Sequence, residues 1–289
     1  ILNQVKHMVR LGEGGFTHNR LQEETMARTI AVLRGLAEMC AVYETTEIIA
    51  IATAAVRDAV NGPEFIRRVQ EKTGIDFTVV SGREEARLIY LGVSSGLEHS
   101  KSLRLFIDIG GGTTEVAVVS LGGVVESESI KTAGDAFDEA IVRYVRRKHN
   151  ILIGKRTAEE LKIGIACLVP RAEVGIQEVK GRCLTTGLPK SVKISSVELV
   201  EAIAEPARDI LETIHMVLER TPPELVSDVA QNGIVMAGGG SLIYGFDQLV
   251  EKDTGIRTTV VDDALSCAAF GSGKMLMNLN DMPEGMVNL

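Results

Sequence analysis

The sequence lacks the residue groupings on which metal sites, disulfide frameworks and serine hydrolases depend. Its four cysteines, Cys40, Cys167, Cys183 and Cys267, lie far apart and form no CxxC pair. The five histidines show no metal-ligand spacing, and no GxSxG turn occurs. We therefore expect no structural zinc, no disulfide framework and no acyl-transfer site. This cysteine usage is typical of a protein from a reducing cytoplasm.

Long apolar runs and an excess of positive charge are also missing. No stretch reaches the roughly 18 apolar residues of a transmembrane helix, and no charged-then-apolar leader begins the chain. The formal net charge is -8, which argues against the clustered Lys and Arg surface that binds nucleic-acid phosphates. The basic residues 143–148 fit a helix end, where cations complement the dipole, with a small polyanion patch as the alternative. We predict a cytoplasmic protein that binds no nucleic acid.

The chain has a globular composition and enough length for two compact lobes. Of its 289 residues, 45% are hydrophobic and 24% are charged, which is not the profile of a disordered chain. Short apolar segments of strand length alternate with helical segments through the first third of the chain. The predicted strands are 48–52, 77–80 and 104–109, and the predicted helices are 21–43, 64–72 and 84–93. This alternation predicts an α/β layer with parallel pairings, in which ligands gather at the carboxyl ends of strands.

The pattern changes after the third predicted strand. Residues 115–119 and 124–130 flank two consecutive glycines, which predicts an antiparallel hairpin. Farther along, Ser195 and Glu198 form a capping-box pattern, in which each residue satisfies a backbone N–H of the other. We therefore predict that one long helix begins there and ends at about Arg220.

The strongest signal for a ligand site is the glycine turn at residues 108–115 (DIGGGTTE). A hydrophobic strand runs into three glycines, whose lack of side chains lets backbone N–H groups approach an anion together. The two threonines add hydroxyl donors, and the aspartate is a hard oxygen ligand for Mg²⁺ on phosphates, directly or through water. The pattern favours phosphate binding, with a plain hairpin turn as the alternative. The predicted phosphate-binding residues are Asp108, which is also the metal candidate, Gly110, Gly111, Gly112 and Thr113.

A second glycine turn occurs at residues 238–241 (GGGS). It follows a predicted strand at 233–236 and opens a helix predicted from 242 to 253, which would place backbone donors at a helix N-terminus. Taken alone, a packing turn is an equal alternative. Two strand-to-glycine-turn units in one chain favour a nucleotide held between two similar lobes.

Two charged residues in the first third of the chain suit hydrolytic chemistry. Glu85 stands at the start of a helix that follows a strand, where a carboxylate can orient an attacking water or accept its proton. Simple helix-start charge is the alternative. Arg57 follows another strand, and its planar guanidinium suits phosphate binding, although a surface arginine explains it equally well.

These motifs resemble two families. Residues 1–103 resemble the Ppx/GppA exopolyphosphatase family through residues 10–14 (RLGEG), 52–59 (ATAAVRDA) and 81–88 (SGREEARL). Residues 104–289 are similar to MreB, a family of bacterial actin-like shape proteins. The matching segments are 108–115, 133–140, 156–162, 187–189, 219–225 and 238–240. Both families belong to the actin-like ATPase superfamily, so the resemblance implies a two-lobe α/β fold of ribonuclease H-like type. The segments that resemble the two families meet near residues 98–104.

The resemblance implies roles for named residues. Residues 110–112 are similar to the second phosphate loop, and residues 238–240 with Ser241 to the adenosine loop. Glu85 resembles the catalytic carboxylate of the phosphatase family. The implied ribose and base contacts are Glu159, Glu160 and Lys162. The implied ligands are ATP and Mg²⁺, and the implied partner is another copy of the chain in a filament.

The chain also departs from both families. Both families begin with an Asp-x-Gly strand-turn motif that forms the first phosphate loop. No such motif begins this sequence, so we expect the first lobe to be incomplete at its N-terminus. Membrane attachment is not carried over, because the amphipathic N-terminal segment of MreB has no counterpart. We predict an MreB-like ATP-binding cytoskeletal protein of cell shape that hydrolyses phosphoanhydrides. The alternatives are an exopolyphosphatase or guanosine pentaphosphate phosphohydrolase acting on a nucleotide or polyphosphate, and a non-catalytic folded fragment.

Overall fold

A computed structural model of the chain describes residues 3, 5, 7, 9, 11, 12, 19–93 and 103–277. The chain divides into two compact units, residues 1–85 with 272–289, and residues 86–271. The predicted boundary at 103/104 separates the segment that resembles the Ppx/GppA family from the segment that resembles MreB, and it stays a prediction. The RLGEG motif and the join near residues 98–104 fall partly outside the described residues.

The first unit holds two parallel strands and the helices around them. Its elements are α1 (Glu23–Val42), β1 (Ala50–Ala52), α2 (Ala54–Arg57), α3 (Gly62–Thr73), β2 (Phe77–Val79) and the beginning of α4 (Gly82–Val93). β1 pairs with β2 in parallel, with Ala50 opposite Phe77. Gly74 ends α3 with a φ of 73°, a left-handed conformation that favours glycine. The buried side chains include Met26, Ile30, Phe65 and Val69.

The second unit contains most of the strands and begins within α4. Its further elements are β3 (Arg104–Ile109), β4 (Thr114–Ser120), β5 (Gly123–Ile130), α5 (Gly134–His149), β6 (Ile151–Leu152), α6 (Lys155–Ile165), β7 (Ile176–Cys183), β8 (Pro189–Ser195), α7 (Ser196–Ala202), α8 (Ala204–Arg220), α9 (Pro223–Asn232), β9 (Ile234–Ala237), α10 (Phe246–Thr254), β10 (Thr258–Val260) and α11 (Cys267–Met277). α11 continues into residues of the first unit. None of the helices in the described ranges has the length and hydropathy of a membrane span.

A five-stranded sheet in the order β10-β9-β3-β4-β5 forms the centre of the second unit. β9 pairs in parallel with both β3 and β10, whereas β4 pairs antiparallel with β3 and with β5. A separate antiparallel sheet has the order β6-β7-β8. The predicted hairpin is therefore confirmed. Parallel pairings also occur as predicted, but β3 lies in a different sheet from β1 and β2, so the three predicted strands do not form one layer.

Helices cover both faces of the five-stranded sheet. On one face, Leu105, Ile107 and Val116 belong to the main core with α5, α8 and α9. On the other face, Phe106 meets Tyr90 of α4 edge to face, with ring centroids 5.5 Å apart. Successive strand residues point to opposite faces, so a strand covered on both sides is apolar almost throughout. This explains why β3 is readable from the sequence.

The single long helix predicted up to about Arg220 is wrong. α7 ends at Ala202 and α8 begins at Ala204. The cause is Pro206, which has no N–H to donate to the carbonyl of Ala202 and whose ring crowds that carbonyl. The capping box that begins α7 is confirmed by reciprocal hydrogen bonds between Ser195 and Glu198.

Candidate functional site

Two glycine turns leave neighbouring strands at one edge of the five-stranded sheet. β3 and β9 run in parallel with Asp108 opposite Ala237, so the turns at residues 110–112 and 238–240 begin side by side. Ligands of open α/β sheets bind beyond the carboxyl ends of the strands, and this edge is such a place. The expectation that the two turns come from two similar lobes is wrong, because both belong to the second unit.

The two turns are in direct contact, which requires glycine on the β9 side. Gly238 has a φ of 79°. A Cβ added to it would lie 2.3 Å from Asp108 Oδ1 and 2.4 Å from the Ile109 carbonyl oxygen, and a Cβ added to Gly240 would lie 2.2 Å from Ile109 Cγ2. These separations are far below van der Waals contact, so glycine allows the end of β9 to approach the end of β3.

The peptide groups of the first turn have a defined orientation. Gly134 N donates to Gly110 O at 3.1 Å, and Asp135 N donates to Gly111 O at 2.7 Å. The C=O and N–H of a trans peptide point in opposite directions. Holding both carbonyls toward α5 therefore points the N–H groups of Gly111 and Gly112 away from α5. Across the described residues no hydrogen bond uses either N–H, so the turn presents two donors to an anion.

One of the two threonines after this turn is committed to the fold. Thr114 is fully buried, and its Oγ1 donates to the Thr132 carbonyl at 2.6 Å. The expectation that Thr114 offers its hydroxyl to a ligand is therefore wrong. Thr113 is partly exposed, and its carbonyl accepts a hydrogen bond from Gly110 N at 2.9 Å, which closes the turn. Thr113 stays a predicted phosphate ligand.

The second glycine turn does not open directly into an α-helix, contrary to prediction. Gly239–Leu242 forms one short 3₁₀ turn, and α10 begins only at Phe246. Ser241 is buried and donates from Oγ to the Gly238 carbonyl at 2.7 Å. This turn brings glycine backbone to the sheet edge, rather than the N-terminus of a long helix.

Asp108 lies at the carboxyl end of β3 and is partly exposed. Its cross-strand partner Glu115 is buried and accepts a hydrogen bond from Ser129 Oγ at 2.7 Å. Mg²⁺ is commonly held by one or two carboxylates together with substrate phosphates and waters. A single carboxylate beside the two free amides fits that mode. Within the described ranges, no group of three or more His, Cys, Asp or Glu residues is placed to hold a metal ion.

Lys162 of α6 lies against the first turn of α5. Its Nζ donates to the Gly134 carbonyl at 2.9 Å and lies 2.8 Å from Asp138 Oδ1. The two side chains are only 12% and 3% exposed. Burial raises the pKa of Asp138 to about 6, against the effect of Lys162, and the charges of Glu159 and Asp135 add to the rise.

The other implied ribose and base contacts occupy different environments. Glu160 is exposed and forms an ion pair with Arg156 one helical turn away, with Nε and Oε1 3.1 Å apart. Glu159 is partly buried and close enough to Asp138 to affect its pKa. The nucleotide roles of Glu159, Glu160 and Lys162 stay predictions.

Sequence reasoning missed Gly134 and Asp138 as parts of this region. A Cβ added to Gly134 would lie 3.2 Å from Gly110 O and 3.3 Å from Gly111 O, so α5 meets the turn at close range. The available signal was a glycine at a helix start with an acid four residues later, since residues four apart share one helix face.

In the first unit, Arg57 and Glu85 form an ion pair at the carboxyl end of the two parallel strands. Arg57 Nη1 lies 3.2 Å from Glu85 Oε2 and donates to the Val80 carbonyl at 3.0 Å. Glu85 is 8% exposed. Burial raises its pKa, against hydrogen bonds from Arg57, Thr53 and the Ala54 backbone. The structure thus brings together two residues predicted for hydrolysis, and a buried carboxylate with a shifted pKa is frequent at functional sites.

Comparison with known proteins assigns a family to this arrangement. The sequence profile described as MreB/Mbl protein matches residues 25–284. The chain belongs to the MreB/Mbl family. The matched range includes both glycine turns, the Asp138–Lys162 pair and the Arg57–Glu85 pair.

Curated relatives in the MreB/Mbl family cover much of the chain. The cell shape-determining protein Mbl of Bacillus subtilis is 39% identical over 220 residues, which are 76% of this chain and 65% of that protein. The cell shape-determining protein MreB of Escherichia coli is 46% identical over 194 residues, 67% of this chain and 56% of that protein. The chain therefore spans somewhat more than half the length of these relatives.

Solved structures confirm the actin-like ATPase fold. MreB5 of Spiroplasma citri bound to ADP superimposes with a TM-score of 0.74 at 28% identity, covering 91% of this chain and 78% of that chain. The MamK double helical filament superimposes with a TM-score of 0.67 at 23% identity, covering 91% of this chain and 78% of the MamK chain. An exopolyphosphatase-like protein superimposes with a TM-score of 0.50 at 21% identity, covering 83% of this chain and 58% of that chain. The last two show a shared fold alone.

The MreB/Mbl match extends well into the segment that resembles the Ppx/GppA family. It begins at residue 25, so most of residues 1–103 lies within it. A chain composed of one part from each family is therefore not shown, and that division stays a prediction.

Proposed function

We propose that this chain is an ATP-binding, actin-like protein of MreB type that serves in bacterial cell shape and hydrolyses a phosphoanhydride bond. The observation that carries the proposal is the placement of two glycine turns side by side, with the N–H groups of Gly111 and Gly112 directed away from α5. The naming of the curated relatives as cell shape-determining proteins, and of MreB5 as bound to ADP, supports it.

In this proposal, the phosphates lie on the amides of Gly111 and Gly112, and the adenosine lies along residues 238–240. Amides that are fixed before binding stabilise phosphate charge without reorganisation. Asp108 would hold Mg²⁺, which supplies positive charge to the phosphate oxygens. The catalytic carboxylate of the proposed hydrolysis is Glu85 of the first unit.

Thermal unfolding with and without nucleotide tests the binding proposal. A ligand that binds the native state stabilises it and so raises the melting temperature. At a ligand concentration of 100 times the dissociation constant, the stabilisation is about 2.7 kcal/mol. We expect ATP to stabilise the wild type but not Gly111→Val, because the branched side chain would stand on the residue between the two amides and crowd a phosphate bound to them. The matched control is Gly35→Val, since added Cβ atoms at Gly35 and Gly111 meet nothing within 4 Å. Equal ATP effects on both variants would refute the proposed phosphate site.

Self-association into filaments forms part of the same proposal. MamK, which shares the fold, has been solved as a filament. Sedimentation in the presence of ATP, ADP and no nucleotide is the direct test. We expect pelleting that depends on ATP, and a chain that stays in the supernatant in every nucleotide state would contradict this part.

A second candidate function is hydrolysis of polyphosphate or guanosine pentaphosphate, and the Arg57–Glu85 pair favours it. The pair lies within the segment that resembles the Ppx/GppA family. Phosphate release from ATP and from long-chain polyphosphate separates the two functions, because only the second should consume the polymer. Glu85→Gln should strongly reduce either activity, and Glu84→Gln at the neighbouring position is the control.

A further inference from the structure

We propose that the buried Asp138–Lys162 pair positions the phosphate-binding turn, by fixing the first turn of α5 that holds the carbonyls of Gly110 and Gly111. The inference rests on the proposed function and deepens it. It assigns Lys162 a role as a positioning residue, whereas the family resemblance implies a direct contact with ribose or base.

The connection runs through a single residue, Gly134. Its carbonyl accepts a hydrogen bond from Lys162 Nζ at 2.9 Å, and its N–H donates to Gly110 O at 3.1 Å. Lys162 and the glycine turn are therefore linked through the two polar groups of one backbone residue. A shift of Lys162 changes the position of Gly134, and with it the peptide that carries the Gly111 N–H.

The backbone of α5 and the glycine turn pack closely at this junction. A Cβ at Gly134 would lie 3.2 to 3.4 Å from Gly110 O, Gly111 O and Gly111 Cα, so α5 begins in close contact with the turn. Asp135 N adds a second hydrogen bond, to Gly111 O at 2.7 Å. The orientation of the amides therefore follows the position of the first turn of α5.

Charge considerations indicate why Asp138 accompanies Lys162. A cation beside a helix N-terminus opposes the positive end of the helix dipole, so Lys162 is not placed there to stabilise α5 alone. Asp138, on the same helix and 3% exposed, lies 2.8 Å from the ammonium group and compensates its charge. Removing one member of a buried pair leaves the other charge uncompensated, which is strongly unfavourable.

The positioning role and a direct nucleotide contact predict different losses. If Lys162 contacts ribose or base, its removal weakens ATP but leaves inorganic triphosphate unaffected. If Lys162 positions the turn, its removal weakens both ligands by a similar factor, because both use the amides. Affinities for ATP and triphosphate, measured by calorimetry above the pKa of Asp138, therefore discriminate the roles.

The test variant is Lys162→Met, and the matched control is Lys155→Met. Lys155 also joins α6 to α5, through Glu139 at 2.9 Å, but that pair is 42% and 47% exposed. We expect Lys162→Met to lose on the order of tenfold or more in affinity for both ligands, and the control to lose none. Loss for ATP alone, or for neither ligand, would overturn the inference. A wild type that binds neither ligand would instead defeat the proposed function on which it rests.

A second variant keeps the test decisive if the single change prevents folding. Replacing both charges, with Asp138→Leu and Lys162→Met together, leaves no unpaired ion, and such apolar replacements of buried pairs often fold. The readout is the amide NMR resonances of Gly111 and Gly112 in ligand-free protein. We expect them to shift in the double variant and to stay in place in Lys155→Met. Unchanged resonances in the double variant would overturn the inference.

Discussion

The contact between the two glycine turns gives the sharpest prediction, for the substitution Gly238→Ala. Gly238 has a φ of 79° and a ψ of 160°, which only glycine adopts readily. The added methyl group would also lie 2.3 Å from Asp108 Oδ1 and 2.4 Å from the Ile109 carbonyl oxygen. The latter is backbone, so relief requires the ends of β3 and β9 to move apart.

The size of the effect follows from these two terms. A residue held in a sparsely populated backbone region costs about 1–3 kcal/mol, and forced overpacking costs a similar amount, about 1–3 kcal/mol. Together they amount to roughly 2–6 kcal/mol, a large part of the about 5–15 kcal/mol that stabilises a typical domain. At about 2–4 °C for each kcal/mol in a domain of this size, the melting temperature should fall by roughly 4–24 °C.

Thermal and urea unfolding followed by circular dichroism measures this loss, with Gly239→Ala as the control. Gly239 is exposed and has no positive φ, and its added Cβ would meet only the end of the Leu265 side chain, at 3.0 Å. We expect the control to change stability by less than about 0.5 kcal/mol, as surface substitutions usually do. If Gly238→Ala has the same melting temperature as Gly239→Ala, the two turns do not touch as described and the prediction is wrong.

Three further predictions concern catalysis, pH and capping. Glu85→Gln should lower phosphate release on the order of 10²–10⁴-fold while ATP-induced thermal stabilisation persists, and undiminished release would remove Glu85 from the mechanism. Since the pKa of Asp138 is raised from 3.8 to about 6, its protonated form is favoured by folding, so wild-type stability should decline relative to Asp138→Asn by up to about 3 kcal/mol as pH rises from about 4 to about 6. The prediction would be contradicted if the free energies of unfolding in urea of the wild type and of Asp138→Asn changed in parallel with pH over that range. Ser195→Ala should cost about 1 kcal/mol in urea unfolding by removing the cap of α7, and Ser191→Ala on β8 is a control expected to lose less.

Local sequence patterns predicted those parts of the fold that depend on residues close together in the sequence. The run of residues 104–109 predicted β3, which is apolar almost throughout because both of its faces are covered. The break between α7 and α8 was also readable, since Pro206 removes a specific hydrogen bond. The capping-box pattern predicts where a helix begins and says nothing about a break farther along.

The arrangement of the site was not readable in this way. The glycine turns were recognised, but their placement depends on β9 lying between β3 and β10, a pairing of segments distant in sequence. Lys162 was singled out by the family resemblance alone. Its pairing with Asp138 depends on the packing of α6 on α5, which brings the two side chains together and buries them. The hydroxyl of Thr114 was misassigned because its acceptor, the Thr132 carbonyl, comes from beyond the hairpin.

The absence of space beside Gly238 also constrains how the sequence can vary. A side chain at this position is incompatible with the present end of β3, so a change there requires a compensating change in the backbone at Ile109 or in the rotamer of Asp108. Two segments distant along the polypeptide are thus mutually dependent. An engineer who grafts one of these loops onto another actin-like scaffold must transfer the other loop with it.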